Sequence, residues 1–367
     1  MVSGKIKVGV IGLKGLPAFG GAASVGENLI RELKNNFRFT VYAVSSHTNV
    51  AGEQDGYYQI VFRSFFIKKM NVFFYYLKAA LHALFFSNYD LIHLHHTDGA
   101  FILPLLRLKY KVICTSHAQP QIAEKWPRYV KVFFTINEKV ALNLSNILTA
   151  VSKNLTHIYT QKTRKKVYYI PNGISLQQEV FDEKIPDDKY ILFSAGRIIP
   201  LKGLHILLEA YRIKDPGIKL KIIGNLGQIP SYEEKIRAEA KKIFNIEFIP
   251  LIRGKEKLLN FVKQAELFIF PSYSENMSMM LLETAFTGTP IICSDIPANK
   301  AIFSNDEVLF FKTNNAQDLA DKIHFALKNK NIMKSKAEKA LKKIETDYNW
   351  ETLSDKYKKL YESLYKI

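Results

Sequence analysis

Short runs of β-branched and aromatic residues alternate with amphipathic stretches along nearly the whole chain, in two successive series. In the first, residues 5–11, 39–44, 90–94, 111–116, 147–151 and 167–170 read as strands. Helices are expected at 21–34, 72–85, 99–108 and 139–145. The second series has strands at 190–194, 219–223, 246–248, 267–270, 290–293 and 308–311. Its helices are expected at 204–212, 232–244, 256–264, 279–287 and 316–328. Strands of continuous Val/Ile/Leu type need cover on both faces, and helices alternating with them supply it around a parallel sheet. At 367 residues the chain is also too long for one ordinary core. The pattern therefore predicts an α/β fold of two doubly wound, Rossmann-like units, with ligands bound in a cleft at the carboxyl ends of the strands. Pro171-Asn172-Gly173 is a turn signal followed by a polar stretch over 175–189, and the boundary is placed there. The closing stretch 334–367 reads as helical and basic, anchored by Trp350.

Composition narrows the setting. The two cysteines, Cys114 and Cys293, lie far apart in apolar strand-like contexts, which argues against a disulfide framework and for a reducing cytoplasm. No signal peptide is read ahead of the first strand, and the apolar stretch 70–86 is interrupted by Lys78 and His82. The formal net charge of +18 calls for an anionic partner. Zinc spacing, RNP-like aromatics and a helix-turn-helix signature are lacking, so nucleic acid is not expected. Arg63, Lys68 and Lys69 are interleaved with Phe62, Phe65, Phe66, Phe73, Phe74, Tyr75 and Tyr76. Such mixing suits either a segment resting on an anionic membrane surface or a core helix with a basic flank.

Four side chains carry the chemistry. Arg197 and Lys202 stand five positions apart where a strand runs into a helix, flanked by Gly196 and Gly203. Two cations beside free backbone N–H groups can neutralise a diphosphate. Glu275 and Glu283 follow another strand end, and the spacing predicts both on one helix face, with Asn276, Met277 and Ser278 supplying the first N–H groups. Glu275 is then within reach of a sugar and Glu283 of a ribose. Near the N-terminus, the loop from Gly12 through Gly15 to Gly20 and Gly21 lacks the Gly-x-Gly-x-x-Gly pattern. Its glycines still let backbone approach a diphosphate. His93, His95 and His96 read as cleft-lining or core residues and not as metal ligands. His117, ending a strand, is placed to hydrogen-bond a sugar hydroxyl or stabilise charge at the reacting carbon.

With these residues assembled, the chain resembles the GT-B glycosyltransferases of family 4, the retaining, sugar-nucleotide-dependent group. Gly196-Arg197, Lys202-Gly203, Gly224, the two glutamates and Gly288-Thr289-Pro290 fall in family order. Ser278, Leu281-Leu282-Glu283 and Ser294-Asp295-Ile296-Pro297 resemble a bacterial surface-polysaccharide branch, as do the Gly15–Gly21 loop, His117 and Lys125-Trp126. That branch includes rhamnosyltransferase-like enzymes. The resemblance implies an acceptor-side unit of residues 1–172 completed by a crossing helix over 350–367, and a donor unit of residues 173–349. It implies that Arg197, Lys202, Gly20 and Gly21 meet the donor diphosphate, and that Glu283 holds the ribose. Glu275 and His117 meet the transferred sugar, Asn276, Met277 and Ser278 give backbone contacts, and the base lies near Ile252 and Arg253. Transfer retains configuration, with no cofactor and no metal; the absence of an Asp-x-Asp motif agrees with cations supplied by the protein. The partners implied are a nucleotide sugar, a saccharide or lipid-linked saccharide acceptor, and the inner face of the plasma membrane. Asn276 departs from the usual glycine of this branch, and Ala22 and Ala23 replace an aromatic and a glutamate. On residues alone, an epimerase or phosphorylase on the same scaffold and a non-catalytic nucleotide-sugar binder stay open.

Overall fold

The computed structural model describes residues 4–18, 21–65, 67, 70–122, 126–176 and 189–366. Gly20 of the double glycine, Phe66, Lys68 and Lys69 of the basic aromatic stripe, and Lys125 lie outside the described residues. The chain opens with β1 (Ile6–Lys14), α1 (Gly21–Leu33), β2 (Phe37–Val44), β3 (Gly52–Gln54) and β4 (Tyr57–Phe62). Next come α2 (Asn71–Phe86), β5 (Leu91–His95), α3 (Leu103–Leu106), β6 (Lys111–Ser116) and α4 (Arg128–Leu144). β7 (Ile147–Ala150), α5 (Lys153–Lys162) and β8 (Val167–Tyr169) complete the first series. The second runs β9 (Tyr190–Arg197), α6 (Leu204–Ile213), β10 (Lys219–Asn225), α7 (Pro230–Ala240), β11 (Ile246–Ile249) and α8 (Lys255–Lys263). It continues through β12 (Leu267–Phe270), α9 (Met279–Phe286), β13 (Ile291–Ser294), α10 (Pro297–Ile302), β14 (Leu309–Phe311) and α11 (Ala316–Lys328). Two helices close the chain, α12 (Lys330–Asp347) and α13 (Trp350–Tyr365).

Two compact units result: Met1–Asn172 with Trp350–Ile367, and Gly173–Asn349. The first is built on a sheet of order β3-β4-β2-β1-β5-β6-β7-β8 and the second on one of order β11-β10-β9-β12-β13-β14. All pairings in both sheets are parallel except β3 with β4. In each sheet the strand order reverses beside the first strand of its series. The reversal lies between β1 and β5 in one unit and between β9 and β12 in the other. Strands buried on both faces explain the continuous apolar runs: Val8, Val10 and Val41 on one sheet, Ile191, Leu192, Phe268 and Ile269 on the other.

The last helix belongs to the first unit because its apolar residues recur every three or four positions. Leu353, Tyr357, Leu360, Tyr361 and Leu364 pack with Trp350 into a core shared with β1, β2 and α1. The closing stretch is helical as expected, in two helices, α12 and α13. The Tyr348 carbonyl accepts from the Ile174 N–H at 2.7 Å, so the ladder ends there. The helix expected over 99–108 is a 3-10 segment (Thr97–Ile102) followed by the single turn of α3. Pro104 has no N–H to continue a helix begun at Gly99, and the Phe101 N–H is taken by Asn137 Oδ1 at 2.5 Å. The helix read at 139–145 begins much earlier, at Arg128. β3, β4, α5 and α10 were not legible. β4 is the most instructive, because its Gln59 is buried and holds the Leu16 backbone through both amide atoms at 2.9 Å.

Candidate active site

In the second unit Arg197, Lys202 and Glu275 follow the ends of β9 and β12, where the strand order reverses and open α/β sheets leave a crevice. β9 ends on exposed Arg197. The chain then makes one 3-10 turn, Pro200–Lys202, closed by Gly203 at φ 72°. A Cβ at Gly203 would sit 2.0 Å from the Pro271 carbonyl oxygen, so only glycine lets this turn lie against the end of β12. The Tyr273 N–H donates to the Leu201 carbonyl at 2.9 Å, locking the two segments in register. Lys202 Nζ consequently lies 2.5 Å from Glu275 Oε1, in a pair whose side chains are 28% and 13% exposed. The loop after β12 is held from below: Ser294 Oγ donates to the Ser272 carbonyl at 2.5 Å, and the buried Asn299 amide donates to the Ser294 carbonyl at 2.9 Å. Asp295 accepts from the Thr313 N–H and hydroxyl, which with Lys300 hold its carboxyl down at about 2.

Two expectations about this loop are corrected. The helix starts at Met279 with Ser278 as its N-cap. Asn276, Met277 and Ser278 therefore precede the first turn and do not supply its N–H groups. Glu275 and Glu283 likewise do not share a helix face: Glu275 stands in the loop, and Glu283 in the middle of α9. Each carboxylate has its own cation, Glu283 pairing with Lys255 at 3.1 Å. Lys255 escaped sequence reading; its only signal is its place at the start of α8, after the turn carrying Ile252 and Arg253. Ile252 packs against the core that lines α9.

The first unit presents a different arrangement at its own reversal. After β1 the chain turns through Lys14, at φ 68°, into the glycine loop. Gly12 faces the His95 carbonyl so closely that a Cβ would lie 2.0 Å from it. Its N–H donates to Tyr75 Oη at 2.8 Å. β5 ends on His95, and His96 adopts φ 75°, an unusual conformation for a residue with a side chain. His95 Nδ1 and His117 Nε2 lie 3.1 Å apart, and the rings of His93, His95 and His117 stack in sequence. His93 is fully used, with Nδ1 at 2.7 Å from Tyr361 Oη and Nε2 at 2.7 Å from Thr115 Oγ1. Burial holds all four histidines neutral: His93 and His96 are lowered to about 3, His95 and His117 well below their usual range. Asp98 Oδ1 accepts from the Tyr76 hydroxyl at 3.1 Å, and burial raises its carboxyl. Just beyond His117, the buried Glu138 accepts from Gln119 at 2.9 Å, from Gln121, and from Lys162 at 2.6 Å. Those donors fasten the loop that carries His117. Gly21 is the exposed first residue of α1. Among the described residues no cluster of three His, Cys, Asp or Glu is placed to hold a metal ion.

Each unit also matches a family model. Residues 19–178 match Glycosyltransferase Family 4, and residues 177–344 match Glycosyl transferases group 1. Both models are of glycosyltransferases and together they span residues 19–344, so the chain belongs to the glycosyltransferases. This glycosyltransferase is 25% identical over 358 residues to an uncharacterised glycosyltransferase of Methanocaldococcus jannaschii, covering 95% of this chain and 96% of that protein. It is 23% identical to the capsular polysaccharide biosynthesis glycosyltransferase CapM of Staphylococcus aureus over 60% of this chain, an alignment that spans 63% of CapM. Anabaena HepE, solved in complex with UDP-glucose, shares its fold with a TM-score of 0.79 at 14% identity, over 98% of this chain and all of HepE. The two parallel-sheet units are those of a GT-B glycosyltransferase. No helix among its described residues is long and apolar enough to cross a membrane.

Proposed function

We propose that this glycosyltransferase moves a sugar, with retention of configuration, from a nucleotide-diphosphate donor to a lipid-linked saccharide acceptor in cell-surface polysaccharide synthesis, on the cytoplasmic side. The observation that carries the reading is the Lys202–Glu275 pair at the reversal between β9 and β12, with Arg197 exposed beside it. A diphosphate is the ligand that competes best for this lysine: it offers more charge than one carboxylate and matches the guanidinium fork of Arg197. Lys202 would then pass from Glu275 to the phosphates, freeing Glu275 for sugar hydroxyls. In the same way Glu283 would leave Lys255 for the ribose, and Ile252 and Arg253 would border the base. Gly20, Gly21 and His117 keep in this reading the diphosphate and sugar roles that the family resemblance implies. A neutral His117 offers one N–H and one lone pair, which suits a hydroxyl and adds no positive charge beside the anomeric carbon. The developing charge on the leaving diphosphate is met by Arg197 and Lys202, so no metal enters the reaction. The acceptor hydroxyl would attack from the face the diphosphate leaves, passing its proton to a phosphate oxygen. HepE's complex with UDP-glucose and CapM's name support the donor and acceptor classes.

The test is nucleotide diphosphate release from UDP-, GDP- and dTDP-sugars with a lipid-linked saccharide, the anomeric configuration of the product being read by NMR. Release with one donor and a retained anomer is expected. Turnover that survives Arg197→Ala and Lys202→Ala together, or an epimerised sugar nucleotide as product, would overturn the reading.

A further inference from the structure

α4 is built inside out. Its inward residues at mid-helix are polar: Asn137 and Glu138 are buried, and both are satisfied by hydrogen bonds from Phe101, Gln119, Gln121 and Lys162. Its outward residues are apolar, with Tyr129, Val132, Phe133 and Ile136 exposed at 76%, 57%, 37% and 55%. Their spacing puts all four on one stripe, whereas an ordinary surface helix turns such a stripe to the core. The stripe does not stand alone. Phe133 lies 5.9 Å from Phe101, whose ring stacks on Phe73 of α2 at 4.7 Å. Phe73 meets Phe74 at 5.6 Å, and Phe74 stacks on Phe65 at 3.9 Å. On the other side Phe133 meets Phe134, and Phe134 meets Trp126 at 5.6 Å. A continuous aromatic band thus joins the starts of α2 and α4, with Ile67, Met70 and Ile122 exposed around it.

We infer that this band is the surface by which the first unit lies on an anionic membrane, with α4 in the interface plane. Charge selects the occupant. No acidic residue occurs between Gly56 and Tyr89, where Arg63 and Lys78 stand, and Arg128, Lys131 and Lys139 flank the stripe. The one carboxylate of α4, Glu138, is turned inward against Lys162. A second copy of the chain docked on the same face would bring these cations together without a counter-charge. Anionic headgroups supply that counter-charge while the rings enter the acyl boundary. The band expected from sequence at residues 62–76 is thereby reassigned: Tyr75 and Tyr76 are buried in the core, and α4 supplies most of the exposed apolar surface. The inference deepens the lipid-linked acceptor reading, but it is measured without sugar transfer, so either can fail alone.

The full chain is floated with vesicles of phosphatidylcholine alone and of phosphatidylcholine with phosphatidylglycerol in equal parts. Binding to the anionic vesicles only is expected, falling about tenfold or more for Val132→Asp with Ile136→Asp. Both positions are exposed, and an unchanged melting temperature keeps the comparison fair. A second readout uses the native chain: of its two tryptophans Trp350 is buried, so quenching by brominated lipid reports Trp126. No flotation with the anionic vesicles, no quenching, or a double variant that binds like the native chain would overturn the inference. So would a dimer in sedimentation that the double variant abolishes, which would assign the band to a second copy.

Discussion

At the reversal between β1 and β5 the first unit gathers four neutral histidines around a glycine, whereas at the reversal between β9 and β12 the second gathers charged pairs around one. The topology is the same and the electrostatics are opposite. Burial is the cause. His93 and His95 are almost wholly enclosed, and an imidazolium there would lack both water and a counter-ion, so the rings shed their protons. Lys202 and Glu275 keep part of their surface in water and lie 2.5 Å apart as an ion pair. A neutral cluster is suited to hydroxyls, and an ion pair that a stronger anion can split is suited to a diphosphate. One fold supplies the place twice, and the degree of burial decides what chemistry each place can hold.

Both reversals are most sensitive at their glycines. Gly203→Val and Gly12→Val each drive a side chain into a backbone carbonyl about 2.0 Å from the ideal Cβ, Gly203 at φ 72° and Gly12 at φ 110°. Each should cost roughly 3–4 kcal/mol in its own unit, read as loss of hydrogen-exchange protection confined to that unit. A loss of less than about 1 kcal/mol would mean the close approach is not what holds either reversal together. Next in size is the charged pair itself. Lys202→Ala should lower turnover about 100-fold, close to 3 kcal/mol of transition-state stabilisation. Lys255→Ala, remote from the phosphates in this reading, should lower it no more than about tenfold.

Acid separates the units without mutation. A histidine lowered to about 3 in the fold, against 6.5 when free, binds its proton first in the unfolded chain. Stability is therefore unaffected above about 6.5 and falls as pH drops through the window down to about 3, by about 1.4 kcal/mol per pH unit for each such histidine. In the second unit His205 is also lowered by burial, but Asp295, at about 2 against 3.8, keeps its contribution until pH falls below about 3.8. The first unit should therefore lose exchange protection at a higher pH than the second; simultaneous loss would contradict the assignment of neutral buried histidines. The smallest expected effect lies at Tyr273, whose hydroxyl meets His205 Nε2 at 2.9 Å and Asn314 Oδ1 at 2.9 Å. Tyr273→Phe should cost only about 1 kcal/mol in thermal unfolding and leave Lys202 in place.

Much of this was legible in the chain itself. Alternating runs such as 267–270 and 111–116 declare buried parallel strands because a strand covered on both faces cannot afford polar positions. The two-unit α/β fold followed from that pattern, and the family resemblance rested on residues such as Gly203, which closes a left-handed turn. What local patterns could not reach were partners far apart in sequence. Gln59 holding Leu16, Tyr361 meeting His93, and Lys255 facing Glu283 leave no periodic trace, since each is a single contact across many residues.

The sequence by itself determined the class of fold and marked Arg197, Lys202, Glu275 and Glu283 as candidates, because periodicity and residue spacing are local properties of the chain. Only the tertiary structure decided which charges meet, where α9 begins, which histidines are stripped of protons, and that α4 turns its apolar stripe outward. Those outcomes depend on burial and on distances between segments remote in the chain, and both are set when the sheets and helices pack together.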